Sequence, residues 1–427
     1  MSRKQSRIAG YSCLGCRSKY PWGPTMYLCP ACGQNLEIEL DYERLRGKIS
    51  RESLARAKLP GHWRFLPLLP LDTPPPVLAK KSNARSPLGS VGATPLYRSR
   101  GLEQRLKIGP IYLKDETRQP SASLKDRASS VVIARGLEEG AKVFSAASTG
   151  NAGASLACMG ASTGATTVIF VPRTAPRAKV AQLQTFGAHV VLIDGSYDTC
   201  FDLCGVMSRE HGWFNRSTGV NPVTREGKKT CAFEIALDLD FEVPELVIVS
   251  VGDGNILSGL GKGFVELKRL GLIDRMPKMV GIQSERSNAI FRAWREQKPV
   301  RAVEATTRAD SISVDLPRDA AGALAALERS EGFMMEVSDE EILRAVARLG
   351  RDEGIFAEPA AACAVAGLIA MVEQGRLKRD RSVALVITGS GLKDVDAALS
   401  VSTPAPIVAP SVAAISEALA RDGVLRG

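Results

Sequence analysis

From Gly92 onward, short β-rich runs alternate with segments of helical length, and this alternation restricts the possible folds more than any other feature. The runs are "IYLKDE", "AKVFSAAS", "TTVIFVP", "HVVLID", "ELVIVSV", "KMVGIQ" and "VALVIT". Strands separated by helices read as parallel α/β layers, because a parallel connection needs a crossover long enough to hold a helix. One helix marks its own start: "SDEEILRAVARLG" opens on a capping box, Ser338 to Glu341. Roughly 300 residues follow this pattern, enough for two such sheets.

The chain ahead of this pattern is different. "YSCLGCRSKYPWGPTMYLCPACGQNLEI" carries Cys13, Cys16, Cys29 and Cys32 as C-x2-C-x12-C-x2-C. Each pair is a knuckle that turns two sulfurs toward one point, and two knuckles supply the four ligands of a structural zinc. Two reduced pairs, or two disulfides, are the alternatives on spacing alone. The remaining cysteines (158, 200, 204, 231 and 363) sit in apolar or helical contexts and read as core residues. After a charged segment comes "LPLLPLDTPPPVLAKKSNARSP", whose prolines predict an extended connector. The expected organisation is a ribbon at 11–40, a helical and proline-rich connector at 41–90, a large α/β domain from 91–147 and 215–400, a small α/β domain at 148–214, and a tail at 401–427 with one weak helix.

No apolar run approaches the ~18 residues of a membrane span, and no apolar segment follows the basic N-terminus as a secretory signal requires. The expectation is a cytoplasmic enzyme, acting on a small molecule as a homodimer. The formal net charge of +10 is spread along the whole length, which favours anionic small molecules at least as much as nucleic acid. Residues 1–60 do hold eleven Lys or Arg against five Asp or Glu, so a nucleic-acid-binding ribbon is a rival reading. It lacks a basic face interleaved with aromatics.

In parallel α/β sheets ligands bind where strands lead into helix N-termini. Three loops have suitable chemistry. "STGNAGASLA" places Ser148, Thr149, Gly150 and Asn151 after "AKVFSAAS". "GDGNILSG" places Gly252, Asp253, Gly254 and Asn255 after "ELVIVSV"; its bare N–H groups suit a phosphate, though the dinucleotide G-x-G-x-x-G spacing fails at Leu257. "GSGLKD" follows Thr388. Taken singly, each is equally a plain cap or tight turn. A fourth stretch, "SASLKDRASS", sets Lys125 at the start of a helix, where most lysines would be solvated.

"SLKDR", "STGN", "VGDGN" and "TGSGLKD" occur in this order behind a four-cysteine ribbon, and the set resembles the threonine synthases, among the pyridoxal-phosphate enzymes of fold type II. The resemblance covers roughly residues 90 to 400 and includes "EGKKTCAFEI" and "DEEILRAVARLGRDEGIFAEPA". It implies two α/β domains, with parallel or mixed sheets flanked by helices, and a small zinc ribbon. It implies that Lys125 holds pyridoxal 5′-phosphate as a Schiff base and serves as the base. It further implies that Asn151 meets the cofactor's 3′ oxygen, that Gly252, Asp253, Gly254 and Asn255 hold its phosphate, and that Thr388 meets its ring nitrogen. Asp126 and Arg127 are expected to organise the helix.

The family's segment N-P-x-R-x-E-G, whose arginine holds the substrate phosphate, reads "NPVTREG" here. Thr224 stands at the arginine position, and Arg225 one place later. Ala152 likewise follows Asn151 where the family has threonine, and "DSISVDLPRDAAG" departs from the usual segment. The expected substrate residues are Ser148, Thr149 and Arg225, with Lys228 or Lys229 assisting. The expected reaction makes threonine and phosphate from O-phosphohomoserine. A β-eliminating or β-replacing enzyme, such as a serine or threonine dehydratase, shares the same cofactor set and is the alternative.

Overall fold

Every run named above becomes a strand. The computed structural model describes residues 7–79, 86–175 and 177–425. In the ribbon, β1 (Ile8–Cys13), β2 (Lys19–Pro21) and β3 (Leu36–Leu40) form an antiparallel sheet in the order β2-β1-β3. The later strands are β4 (Leu96–Arg98), β5 (Ile111–Asp115), β6 (Val143–Ala147), β7 (Thr166–Pro172), β8 (His189–Ile193), β9 (Phe214–Asn215), β10 (Leu246–Ser250), β11 (Lys278–Ser284), β12 (Phe333–Val337) and β13 (Val383–Ile387).

They divide into two sheets. The larger runs β12-β11-β10-β13-β5-β4, parallel except for the antiparallel edge pair β4 and β5. Its central strands β10 and β13 are buried along their whole length, as continuous apolar runs covered on both faces should be. The helix Pro359–Glu373, apolar nearly all round and started by a proline, lies against this sheet. The smaller sheet runs β8-β7-β6-β9, all parallel.

Three expectations change. Val143–Ala147 is a central strand of the smaller sheet, not part of the large domain, because it pairs with β7 and β9. The proline-rich connector is not merely extended: Gly61–Leu68 is a 3-10 helix, and Trp63, Phe65, Leu68 and Leu69 are wholly buried in the main core. Its stretch at 80–85 lies outside the described residues. Strands β4, β9 and β12 were not anticipated; two are very short, and "FMMEV" has little β-branched character.

The capping box forms as read, with Ser338 and Glu341 each accepting from the other's backbone N–H. The five later cysteines are free and buried. Arg127 is wholly buried between Glu116 and Glu234, at 2.7 and 2.6 Å, and Asp126 accepts from Ser121, so both organise the helix Lys125–Glu138.

Candidate active site

Lys125 begins its helix directly after Leu124, whose N–H donates to the Thr388 carbonyl at the end of β13. This bond places the lysine amine at the junction of two cavities. The larger, about 370 Å³, is lined by Lys125, Ser148 to Asn151, Tyr197, Thr218, Asp253, Ser311 and Arg318, among others. The smaller, about 50 Å³, is lined by Lys125, Thr218, Lys228, Gly252 to Asn255, Ser311, Glu358 and Thr388. Ser148, Thr149, Asn151, Asp253 and Thr388 therefore line these cavities together with Lys125.

Each cavity receives the N-terminus of a long helix that no side chain caps. Asn151–Thr163 begins at Gly150, and Asn255–Arg269 begins at Gly254, whose φ of +91° suits glycine. Their first N–H groups are left for a ligand, which favours anions. A Cβ on Gly252 would approach the Ile312 Cα to 2.9 Å, so the small cavity needs glycine at its rim.

The electrostatics distinguish this place from the rest of the interior. Burial pulls the Lys125 ammonium below the ordinary lysine range; Glu358 opposes this and Arg216 adds to it. Lys228 is wholly buried and falls much further, through burial and then through Lys125 and Arg216. Its recorded hydrogen bond is to Asn255 Oδ1, at 2.5 Å. Arg216 is wholly buried too, and burial lowers it to about 10. It donates to Ser129 and Thr218, while its Nη2 has no hydrogen-bond partner. Among the described residues none of these three cations has a carboxylate within ion-pair distance. The nearby acids are held toward neutrality: burial raises both Asp253 and Glu358.

Asn151 donates to Glu358 Oε1 at 2.8 Å and to Ser311 Oγ at 3.3 Å. Arg318 and Asp198, both lining the larger cavity, pair with each other, and the Arg318 guanidinium lies 4.6 Å from the Phe201 ring centre. Arg225 does not line either cavity. It is buried, pairs with Asp319, and donates to the Leu36 carbonyl of β3. Lys229 is also elsewhere, between Glu226 and Glu266. Lys228 faces the Gly252–Asn255 cradle rather than the larger cavity. Thr218, Ser311, Arg318 and Glu358 were missed; Ser311 and Arg318 share the segment 310–322, the other two come from separate segments, and none lies in a loop of the kind read as ligand-binding.

These donors fit a phosphorylated aldehyde cofactor: a buried amine of lowered basicity, beside a glycine cradle with an unpaired lysine. The cysteines fit a metal in the same way. The sulfurs of Cys13, Cys16, Cys29 and Cys32 lie within 4.8 Å of one another, with 3.4 Å between Cys13 and Cys32. That is too long for a disulfide and near the edge of a tetrahedral zinc–sulfur site. Gly15 and Cys16 donate backbone N–H groups to the Cys13 sulfur.

Comparison with known proteins agrees. Residues 88–389 match the family described as pyridoxal-phosphate dependent enzyme. The chain is 38% identical over 395 residues to a threonine synthase of Methanocaldococcus jannaschii, covering 91% of this chain and 94% of that one. It is 35% identical to a threonine synthase of Methanosarcina acetivorans, covering 95% and 98%. Among solved structures, threonine deaminase isoform 2 from Solanum lycopersicum superposes with a TM-score of 0.64 at 23% identity, covering 72% of this chain and 87% of that one. Diaminopropionate ammonia lyase from Escherichia coli gives 0.63 at 19% identity, covering 76% and 89%. At these identities the two structures speak for the fold alone.

Proposed function

Because this chain belongs to the family of pyridoxal-phosphate dependent enzymes, we propose that it converts O-phospho-L-homoserine and water to L-threonine and phosphate. The observation that carries this reading is the pair of cavities meeting at Lys125, each faced by an uncapped helix N-terminus, with the unpaired Lys228 lining the smaller and Arg318 lining the larger. Two anionic groups on either side of one amine is what a phosphorylated cofactor and an anionic substrate require.

Gly252 to Asn255 and Lys228 would hold the cofactor phosphate, Asn151 the 3′ oxygen and Thr388 the ring nitrogen. The bound cofactor supplies an electron sink for charge developing at Cα. Thr388 offers a neutral hydroxyl there, which keeps that sink mild. The Asn151–Thr163 helix start, with Ser148 and Thr149, takes the substrate carboxylate. Lys125 would take the α proton on Nζ, an amine whose basicity burial lowers. The leaving phosphate lies toward Thr218 and Arg318, with the Arg216 guanidinium behind Thr218. Asp198, Asp253, Asp310 and Asp315 also line this cavity. Arg318 and Lys179 pair with Asp198 and Asp310. Asp315 accepts from the Ala305 N–H. Cys13, Cys16, Cys29 and Cys32 hold a structural zinc, since four sulfurs leave no open ligand position.

The purified holoenzyme should release phosphate and threonine from O-phosphohomoserine in equal amounts. The dehydratase reading keeps some support from Arg225, which is occupied by Asp319. A protein that ignores O-phosphohomoserine but forms ammonia and a 2-oxo acid from serine or threonine would establish that alternative.

A further inference from the structure

We propose that the cysteine ribbon is a strut for the substrate side of the active site, and that Asn35 is the positioning residue through which it acts. This rests on the reading that Thr218 and Arg318 face the substrate.

Asn35 is tied to both knuckles. The N–H of Leu14, between Cys13 and Cys16, donates to the Asn35 carbonyl at 3.0 Å. Leu28, beside Cys29, forms an antiparallel bridge with Asn35, and the Cys29 N–H donates to the Gln34 carbonyl at 2.9 Å. Whatever fixes the two knuckles relative to each other therefore fixes the Asn35 backbone.

Its side chain points the other way, into the α/β body. Asn35 is only 9% exposed, and its Nδ2 donates both to the Gly219 carbonyl and to the Arg318 carbonyl, the latter at 3.0 Å. Gly219 follows Thr218, and the side chains of Thr218 and Arg318 both line the larger cavity. The two loops come from chain segments almost a hundred residues apart in sequence, yet they are pressed together. A Cβ on Gly219, whose φ is +77°, would lie 2.5 Å from the Arg318 Cβ. One amide thus staples the two loops across the seam, and each loop presents a side chain to the substrate space. Burial makes such a two-pronged contact costly to lose, because two carbonyls are stranded at once.

The next residue marks the boundary of this effect. The Leu36 carbonyl accepts from Arg225, which pairs with Asp319; Asp319 in turn accepts from Asn255 of the cofactor cradle. The ribbon therefore reaches the cofactor through Arg225 and the substrate through Asn35. The two effects are separable by mutation.

Asn35→Asp keeps the shape and removes both donors. In the full-length holoenzyme it should raise KM for O-phosphohomoserine roughly tenfold, with kcat within about twofold and with cofactor absorbance and metal content unchanged. The increase should largely vanish in an Arg318→Ala background. Amide exchange gives a readout that does not depend on the substrate: segments 216–222 and 315–319 should exchange several-fold faster in Asn35→Asp, while 143–147 stays as it was. Unchanged exchange in both loops overturns the proposal, as does loss of cofactor or metal in parallel with activity. Faster loop exchange in a protein that never turns over O-phosphohomoserine would sink the assigned reaction and leave the strut standing.

Discussion

Lys228 and Lys229 are neighbours on one helix, and both side chains are wholly buried. Lys229 lies 2.6 Å from Glu226 and 2.8 Å from Glu266, in a closed cluster that also takes in Lys262. Lys228 has one neutral partner, Asn255, and a basicity far below normal. The same contrast runs through the molecule. Arg127 and Lys114 are matched by Glu116, Glu234 and Asp238, whereas Lys125 and Lys228 line the two cavities, with Arg216 behind Thr218, and among the described residues none of these three has a carboxylate within ion-pair distance. Buried charge is tolerated when paired. The unpaired set therefore identifies where anions arrive from outside.

The largest effect should come from the unpaired side. Lys125→Ala removes a group that no ion pair uses, so the protein should fold normally while turnover drops about 10³-fold or more. Borohydride reduction of the wild-type holoenzyme, followed by peptide mapping, should place a pyridoxyl group on Lys125. Labelling of another lysine would break the comparison at its centre.

The paired side should respond in stability instead. Lys229→Met leaves Glu226 and Glu266 sharing Lys262, and should cost about 3 kcal/mol or more in chemical denaturation. A variant as stable as wild type would mean that the cluster contributes nothing and that pairing is not what distinguishes the two sites.

How far the site could be read from sequence follows the same division. Ser148 to Asn151, Gly252 to Asn255 and Thr388 were legible because each loop is contiguous, and parallel strands deliver their C-terminal ends to one edge. Lys125 became legible only with those loops. Arg225 was misplaced because its partner, Asp319, lies 94 residues away, and no local pattern encodes that pairing. Thr218, Glu358 and the segment carrying Ser311 and Arg318 share this difficulty: tertiary packing brings them in from distant parts of the chain. In the fold, the apolar runs gave the strands, but Val143–Ala147 could not be assigned to its sheet before its neighbours were known.

A smaller, graded effect tests the paired region against pH. His62, beside Arg127, is wholly buried, and burial followed by that guanidinium lowers it to about 3. The unfolded chain therefore takes up the proton first. This contribution to stability is fully present above about pH 6.5 and is lost at about 1.4 kcal/mol per unit as pH falls toward 3. His62→Gln should flatten that part of the stability profile; an unchanged slope would assign acid sensitivity to the carboxylate clusters instead.

The most direct test of the central claim is Lys228→Met, measured twice. The stability of the cofactor-free protein should stay within about 1 kcal/mol of wild type, since only one hydrogen bond to Asn255 is lost. The affinity for pyridoxal phosphate should fall about ten- to a hundredfold, because a charge-assisted contact to its phosphate is gone. A cofactor-free protein destabilised as severely as Lys229→Met, with cofactor affinity unchanged, would contradict the account.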